Sequence, residues 1–512
     1  MKFSNLLMFL VISGMLLLSA IILTTSHYIN EKYVIDEILY YVTNGLEGTS
    51  EGLIGYWIIE NFLPFVLIMV LILVPILIPK SKTIKFRFKK RKVQFTVFPK
   101  TTKFRFVYSL VIFFFSVVVS FFLLGIDEFI KRTFENSIFI EEHYIDGRDI
   151  ALQFPEKKRN LILIYLESME NALIDEKNGG GWPYKVIPEL EILARDHINF
   201  SNTNQIGGAY PISNTGWTVA AMVASTSGLP LKIPIERNSY TNTDRFLQGA
   251  YTLGDILKNE DYNLKLMVGS DAQFGGRLNY FTTHGGFEIF DYNTAIEEGK
   301  MTEEDKVWWG FDDTHLFTWA KEELVELARK EKPFDFTLLT VNTHFPDGYL
   351  EETAEQKYNS QYENVYAHSS KQVDEFMKWL QKQEFYQNTT VVLIGDHLSM
   401  QDPAYYEGKI NTEYNRTIYN AFINTPITPT KANFRIFTSL DLYPTILASI
   451  GVDIEGERLG LGTNLFSNKR TLVEEYGLNY VDTELSKNSH FYNQVILTDD
   501  YFDLIKQKNR NK

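Results

Sequence analysis

The chain has 512 residues, 45% hydrophobic and 22% charged, with a formal net charge of −14 and no cysteine. At about 100–200 residues per globular domain, that length calls for two or three units, and the missing cysteines exclude disulfides, thiolate zinc sites and thiol nucleophiles. Eleven Lys or Arg and no acid fall within residues 80–105, so the rest of the chain is strongly acidic, which argues against nucleic acid as a partner.

Taken from the N-terminus, three apolar runs at 6–23, 53–78 and 106–126 each approach the roughly 20 residues a membrane-spanning helix needs. Glu60 and Asn61 interrupt the second. The first is longer than a signal-peptide core of about 7–15 residues and lacks a small-x-small cleavage site after it, so it reads as a retained helix. Cationic loops stay inside, which places the 80–105 loop in the cytoplasm, against anionic lipid headgroups, and everything after residue 126 outside. The expected organisation is a membrane anchor over 1–126, a juxtamembrane connector over 127–158, a catalytic domain over 159–475 and a C-terminal extension over 476–512.

Short β-branched runs at 161–166, 264–268, 336–341 and 391–394 alternate with amphipathic stretches at 218–225, 315–330 and 370–381. Such alternation predicts an α/β domain with a mostly parallel sheet and helices on both faces. Polar residues follow each run: Glu167-Ser168, then Asp271, then Asn342-Thr343-His344, then Gly395-Asp396-His397. Ligands of open α/β sheets sit at the C-terminal ends of the strands, so these four segments are expected to converge.

Carboxylate and imidazole together, as in Glu167 with Asp396-His397, suit a divalent ion that neutralises phosphate, whereas an isolated Asp-His is more often a turn or cap. The segment Gly207 to Thr218 reads as a loop that delivers a hydroxyl to a helix start, where free N–H groups stabilise an anion. Thr215 is the candidate nucleophile, although threonine is equally a common N-cap. Ser213 and Thr218 compete with it; Thr218 is expected inside the helix and Ser213 before the tight turn. His344 is a candidate phosphate ligand or proton donor. Arg277, paired with Asp271 across a Gln-Phe-Gly-Gly turn, offers the bidentate contact that phosphate favours.

These motifs resemble the lipoteichoic acid synthase and phosphoglycerol transferase branch of the alkaline phosphatase and sulfatase superfamily. The resemblance rests on Asn160 to Ser168, Asn214-Thr215-Gly216-Trp217-Thr218, Asn342 to Gly348, Asp396-His397 and Asp441-Leu442-Tyr443-Pro444-Thr445-Ile446. It implies an alkaline-phosphatase-like fold and a Mn²⁺-type ion, with Zn²⁺ or Mg²⁺ as alternatives, held by Glu167, Thr215, Asp396 and His397. It also implies that Asp271, Arg277 and His344 contact glycerol phosphate. Thr-Gly-Trp-Thr and Thr-His-Phe-Pro-Asp-Gly look more like the transferase that decorates periplasmic glucans than like the teichoic acid polymerases, whose Gly-Lys-Thr-Ser segment this sequence lacks.

The function this implies is transfer of glycerol phosphate from phosphatidylglycerol to a periplasmic or cell-surface glycan, at the bacterial cytoplasmic membrane with the catalytic domain outside. A membrane-held site keeps a lipid donor at high effective concentration. The rivals are a phosphoethanolamine transferase, against which the absence of cysteine counts, a lipoteichoic acid-type polymerase, and a non-catalytic lipid- or glycan-binding surface protein.

Overall fold

The computed structural model describes the backbone at 82–88 and 91–97, separate positions between 107 and 122, and residues 126–497 apart from 233–245, 402 and 412. The expected spans at 6–23 and 53–78 lie outside the described residues. Those described between 107 and 122 are helical, and Val111, Phe114, Phe115 and Phe122 are exposed by 57–65%. Among the described residues no helix is long and apolar enough to cross a membrane. The described residues fall into two compact units that part at Lys131 and Arg132.

In the first unit the basic segment is a hairpin. Strands β1 (Lys82–Phe88) and β2 (Arg91–Val97) pair antiparallel, in a register that sets Ile84 opposite Phe95 and Phe86 opposite Val93. Apolar and polar residues alternate along both strands, which is the period of a strand with two unlike faces. A charge-based reading takes the segment as a loop and overlooks this alternation. The helix α1 (Ile126–Phe134) follows.

The second unit is built on six strands: β4 (Asn160–Leu166), β5 (Asn263–Val268), β6 (Glu288–Phe290), β7 (Phe334–Leu339), β8 (Thr389–Gly395) and β9 (Asn420–Ile423). Their order is β6-β5-β7-β4-β8-β9, parallel except for β9. All four expected strands are present: β4 and β5 start one residue earlier, β7 runs two residues earlier at both ends, and β8 is longer at both ends. β6 and β9 escape the sequence because three or four residues hold too little periodicity.

β4 reads NLILIYL and is buried throughout, as a central strand covered on both faces must be. Leu161, Leu163 and Tyr165 face one core with α4 (Thr218–Ser227), α5 (Leu253–Asn259), α6 (Arg277–Thr283) and α9 (Ser439–Ser449). Ile162, Ile164 and Leu166 face the other, with α3 (Pro188–Asp196), α7 (Asp313–Arg329) and α8 (Gln361–Leu380). The domain is therefore a three-layer α/β sandwich. α8 begins nine residues before the amphipathic stretch expected at 370, on a Ser360 side chain that accepts from Glu363 N.

The 127–158 segment carries structure of its own. Phe139 and Ile140 in α2 (Phe139–His143) join the first core, and β3 (Leu152–Gln153) pairs antiparallel with β10 (Asp453–Ile454). At the other end, Val481 and Leu485 of α10 (Leu478–Ser486), with Tyr492, Val495 and Ile496, complete that same core. The stretch after residue 476 is thus integral to the domain over its described length.

Candidate active site

Register brings the first ligands together. Leu166 of β4 pairs with Gly395 of β8 in parallel alignment, so the residues that follow, Glu167 and Asp396, leave the sheet side by side. The turn after Glu167 crosses the end of β8 so closely that a Cβ on Gly395 would lie 1.9 Å from the Met169 carbonyl oxygen. Only glycine permits that approach. Ser168 adopts φ 53°, a left-handed conformation costing about 1–3 kcal/mol for such a residue. That conformation points two donors at the site: Ser168 N donates to Asp396 Oδ1 at 2.7 Å and Ser168 Oγ to Glu167 Oε1 at 2.7 Å.

The strand beyond β4 braces the cluster from the other side. Glu167 N donates to Thr340 Oγ1 at 3.0 Å, and Thr343 Oγ1 donates to the Glu167 carbonyl at 2.6 Å. The Thr343 carbonyl is in turn held by Tyr362 Oη at 2.9 Å. His397 Nδ1 donates to the Leu398 carbonyl at 2.8 Å, which leaves the Nε2 lone pair facing Glu167 Oε1 at 3.5 Å and Asp396 Oδ2 at 3.4 Å. Fixing one imidazole nitrogen in this way presents the other as a ligand.

Glu167, Asp396 and His397 are all buried, and each contributes a ligand atom within 4.8 Å of the others. Burial raises the Asp396 carboxyl from its ordinary 3.8 to about 7, the Glu167 carboxylate adds to the rise, and His397 opposes it. No hydrogen bond reaches Asp396 Oδ2. Two buried carboxylates with an unsatisfied oxygen between them call for a cation, and the mixed oxygen and nitrogen donors suit Mn²⁺, Zn²⁺ or Mg²⁺. The residues fit a divalent metal site.

The hydroxyl that joins this group belongs to Thr218. Its Oγ1 lies 3.3 Å from Glu167 Oε2 and 3.4 Å from His397 Nε2. Thr215, by contrast, is fully buried and donates to the Ile212 carbonyl at 2.8 Å. The helix starts at Thr218 as expected, but a position in the first turn does not withdraw its hydroxyl from the ligands. α4 begins at Thr218, with Trp217 as an N-cap that supplies no side-chain bond. The first intrahelical bond is Ala221 N to the Trp217 carbonyl, so the N–H groups of the first turn point outward beside the Thr218 hydroxyl. Ser213 is also taken up structurally: its N and Oγ bond Asp482 Oδ1 of α10 at 2.9 and 2.5 Å.

Of the expected phosphate contacts, Arg277 is 4% exposed and held by its own turn, with Nε donating to the Phe274 carbonyl at 3.0 Å and Nη2 to Ser270 Oγ and the Asp271 carbonyl at 3.0 and 2.7 Å. That turn packs on the start of α4, since a Cβ on Gly275 would meet Val219 at 3.4 Å. The Asp271 carboxylate accepts from Gln273 N at 2.8 Å; it shapes the turn and does not join the Glu167 group. His344 Nδ1 donates to the Phe345 carbonyl at 2.6 Å. Burial first, then the charges of His397 and Arg277, push the His344 imidazole down to about 4, with the Phe345 carbonyl and Asp396 opposing. His344 is therefore neutral at pH 7, with Nε2 as a proton acceptor. Sequence reasoning placed Ser168 and Thr343 at strand ends without giving them a role and missed Thr340; the bonds all three make exist only across strand ends.

Residues 159–452 match the Sulfatase family. Phosphoglycerol transferase I of Escherichia fergusonii is 31% identical over 267 residues, 50% of this chain and 33% of that protein. The protein of the same name from Salmonella typhi is 31% identical over 268 residues, with the same two shares. The match thus spans about a third of the length of these curated relatives. The solved lipoteichoic acid synthase LtaP from Listeria monocytogenes is 18% identical with a TM-score of 0.50, covering 65% of this chain and 82% of that one, a likeness of fold. Because the 159–452 match takes in more than half of the chain, all six sheet strands and every residue of the buried ligand group, the chain belongs to the Sulfatase family.

Proposed function

We propose that this protein is a membrane-anchored phosphotransferase that moves glycerol phosphate from phosphatidylglycerol to a glycan through a phosphoglyceryl-threonine intermediate on Thr218. The observation that carries the reading is the Thr218 hydroxyl, 3.3 Å from Glu167 and 3.4 Å from His397 at an uncapped helix N-terminus. Thr218 is partly exposed whereas Thr215 is sealed, and a nucleophile has to be reachable by its phosphorus. The similarity to proteins named phosphoglycerol transferase I supports the choice of transferred group.

Glu167, Asp396, His397 and Thr218 would hold the divalent ion, which when bound supplies charge neutralisation at the phosphoryl oxygens and lowers the pKa of a ligated hydroxyl. In the first step Thr218 Oγ loses its proton and bonds to phosphorus, the bond to the diacylglycerol oxygen breaks, and that oxygen takes up a proton. In the second, an acceptor hydroxyl gives its proton to His344 Nε2, its oxygen bonds to phosphorus, the Thr218 ester breaks, and Thr218 Oγ takes up a proton to restore its hydroxyl while His344 returns its own to solvent. First-turn N–H groups of α4 and the Arg277 guanidinium stabilise the anionic oxygens during both displacements.

An extracytoplasmic placement follows from the basic residues of 80–105 between apolar runs, and the exposed Phe114, Phe115 and Phe122 support a lipid-facing segment. The test is release of diacylglycerol from headgroup-labelled phosphatidylglycerol by the full chain with Mn²⁺ or EDTA. Thr218→Ala should lower turnover about 10³-fold or more and trap no label, as loss of a covalent nucleophile does. Thr215→Ala should retain activity within about tenfold, a loss of packing only. Label on Thr215 in place of Thr218 sinks the assignment.

A further inference from the structure

Between β6 and α7 the chain makes a tight reversal at Val307-Trp308-Trp309-Gly310. Val307 N donates to the Gly310 carbonyl and Gly310 N to the Val307 carbonyl, both at 2.9 Å. Gly310 cannot carry a side chain there, because a Cβ would lie 2.3 Å from the Gly269 carbonyl oxygen at the end of β5. Trp308 sits at φ 52°, where a bulky residue is a genuine outlier, and strained backbone of this kind persists where surrounding structure or a ligand requires it.

The reversal places Trp309 in the active site. Its ring centroid lies 5.0 Å from Phe274 and 4.7 Å from His344, and the Arg277 guanidinium stands 5.6 Å over the same Phe274 ring. Arg277, Phe274, Trp309 and His344 thus form one continuous wall from the end of β5 to the end of β7. Trp309 is 3% exposed, and its indole N–H reaches no acceptor. A buried donor without a partner is costly and rare, and asks for an explanation. Trp182 and Trp308 also carry unpaired indole N–H groups; Trp309 differs in lying against His344, the two rings tilted by 57°.

We infer that Trp309 is a ligand-binding residue whose indole N–H donates to an oxygen of a phosphate ester held between Arg277 and His344. The inference rests on the proposed function for the ester being glycerol phosphate. The ring itself holds His344 in place, so the two roles separate on substitution: Trp309→Phe keeps an aromatic ring and removes the donor, while Trp309→His keeps a ring N–H.

The test is calorimetric titration of the full chain, with Mn²⁺, against sn-glycerol 1-phosphate and against inorganic phosphate, alongside turnover of phosphatidylglycerol. Trp309→Phe should weaken glycerol phosphate binding about fivefold to tenfold, as loss of one hydrogen bond to a charged acceptor does. It should raise KM more than it lowers kcat, and Trp309→His should recover part of the affinity. Should Trp309→Phe fail to fold, the wild-type chain labelled with ¹⁵N at its seven tryptophans gives a second readout, in which a ligand-induced downfield shift of one indole N–H resonance is expected and an unchanged spectrum overturns the inference. Affinities of wild type and Trp309→Phe within about twofold of one another overturn the Trp309 role and, where phosphatidylglycerol is still turned over, leave the proposed function standing. Trp309-dependent binding of inorganic phosphate by a chain that does not turn over phosphatidylglycerol supports the role and removes the proposed function.

Discussion

Asp396 is 1% exposed beside Glu167, and its carboxyl, raised from 3.8 to about 7, links metal, protons and stability. A bound cation needs the carboxylate, so the proton competes with it. Affinity for Mn²⁺ should rise about tenfold per pH unit up to about pH 7 and then level off, as expected for release of one proton; calorimetry across that range checks it. The stability effect has the opposite sign in the metal-free protein. A carboxyl raised on folding contributes stability below pH 3.8 that is lost as pH rises through about 7. Asp313, Asp335 and Asp441, raised by burial to about 8, 7 and 7, act in the same direction. Thermal denaturation with EDTA should therefore give a falling Tm over that range, shallower in Asp396→Asn and flattened by Mn²⁺. At this scale the ligand types were legible in the sequence, because a carboxylate or an imidazole is a ligand wherever it lies. Which of two threonines three residues apart reaches them was not, since that depends on how the loop before α4 packs: it turns Thr215 onto the Ile212 carbonyl and leaves Thr218 facing Glu167. Trp217 is not a residue the N-cap preferences would pick, and those preferences favour Asn214 or Thr215.

The elements that hold the site include one far from it in sequence. α10 grips the loop before Thr218 through Asp482, whose carboxylate accepts from both Ser213 N and Ser213 Oγ. Asp482→Ala leaves the buried Ser213 N–H without its acceptor, while Ser213 Oγ keeps the Asp482 carbonyl at 3.1 Å, and should cost about 1–3 kcal/mol, measured by urea denaturation, with a fall in turnover as the start of α4 loosens. Turnover unchanged at equal stability loss would confine α10 to the core. The four long strands were legible because each carries a dense apolar run, broken inside only by Lys265 in β5 and by Asp335 and Thr337 in β7. The hairpin of β1 and β2 was equally written in its alternation, but charge dominates that segment and suggests a loop. The packing of α2 and α10 on the first core left no such trace, because five-residue and nine-residue helices carry too few turns for a clear period.

For the molecule as a whole, the reading of the N-terminal quarter as an anchor predicts a division of labour. A chain lacking residues 1–125 should lose about 10²-fold in turnover of phosphatidylglycerol in vesicles, the order of the effective concentration that tethering supplies. On a soluble short-chain analogue it should keep activity within about threefold, since the residues placed around the cluster all lie after β4 begins. Equal loss on both substrates would mean that the first quarter supports the fold of the domain and does not deliver it to lipid. The domain itself is closed by contacts between its ends, with β3 pairing to β10 and Ser137 Oγ donating to Glu484 at 2.6 Å.

The sequence by itself determined the α/β class, the strands that lead to Glu167, His344 and Asp396-His397, and the carboxylate and imidazole types of a group that fits a divalent ion, because these follow from residue type and local period. Tertiary structure alone decided that Thr218 stands at the ligands while Thr215 is sealed against Ile212. It alone brought Ser168, Thr340 and Thr343 into the brace around Glu167 and set Trp309 against His344. Those outcomes depend on strand register and on how the loops at the strand ends pack, both fixed by contacts between segments tens to hundreds of residues apart.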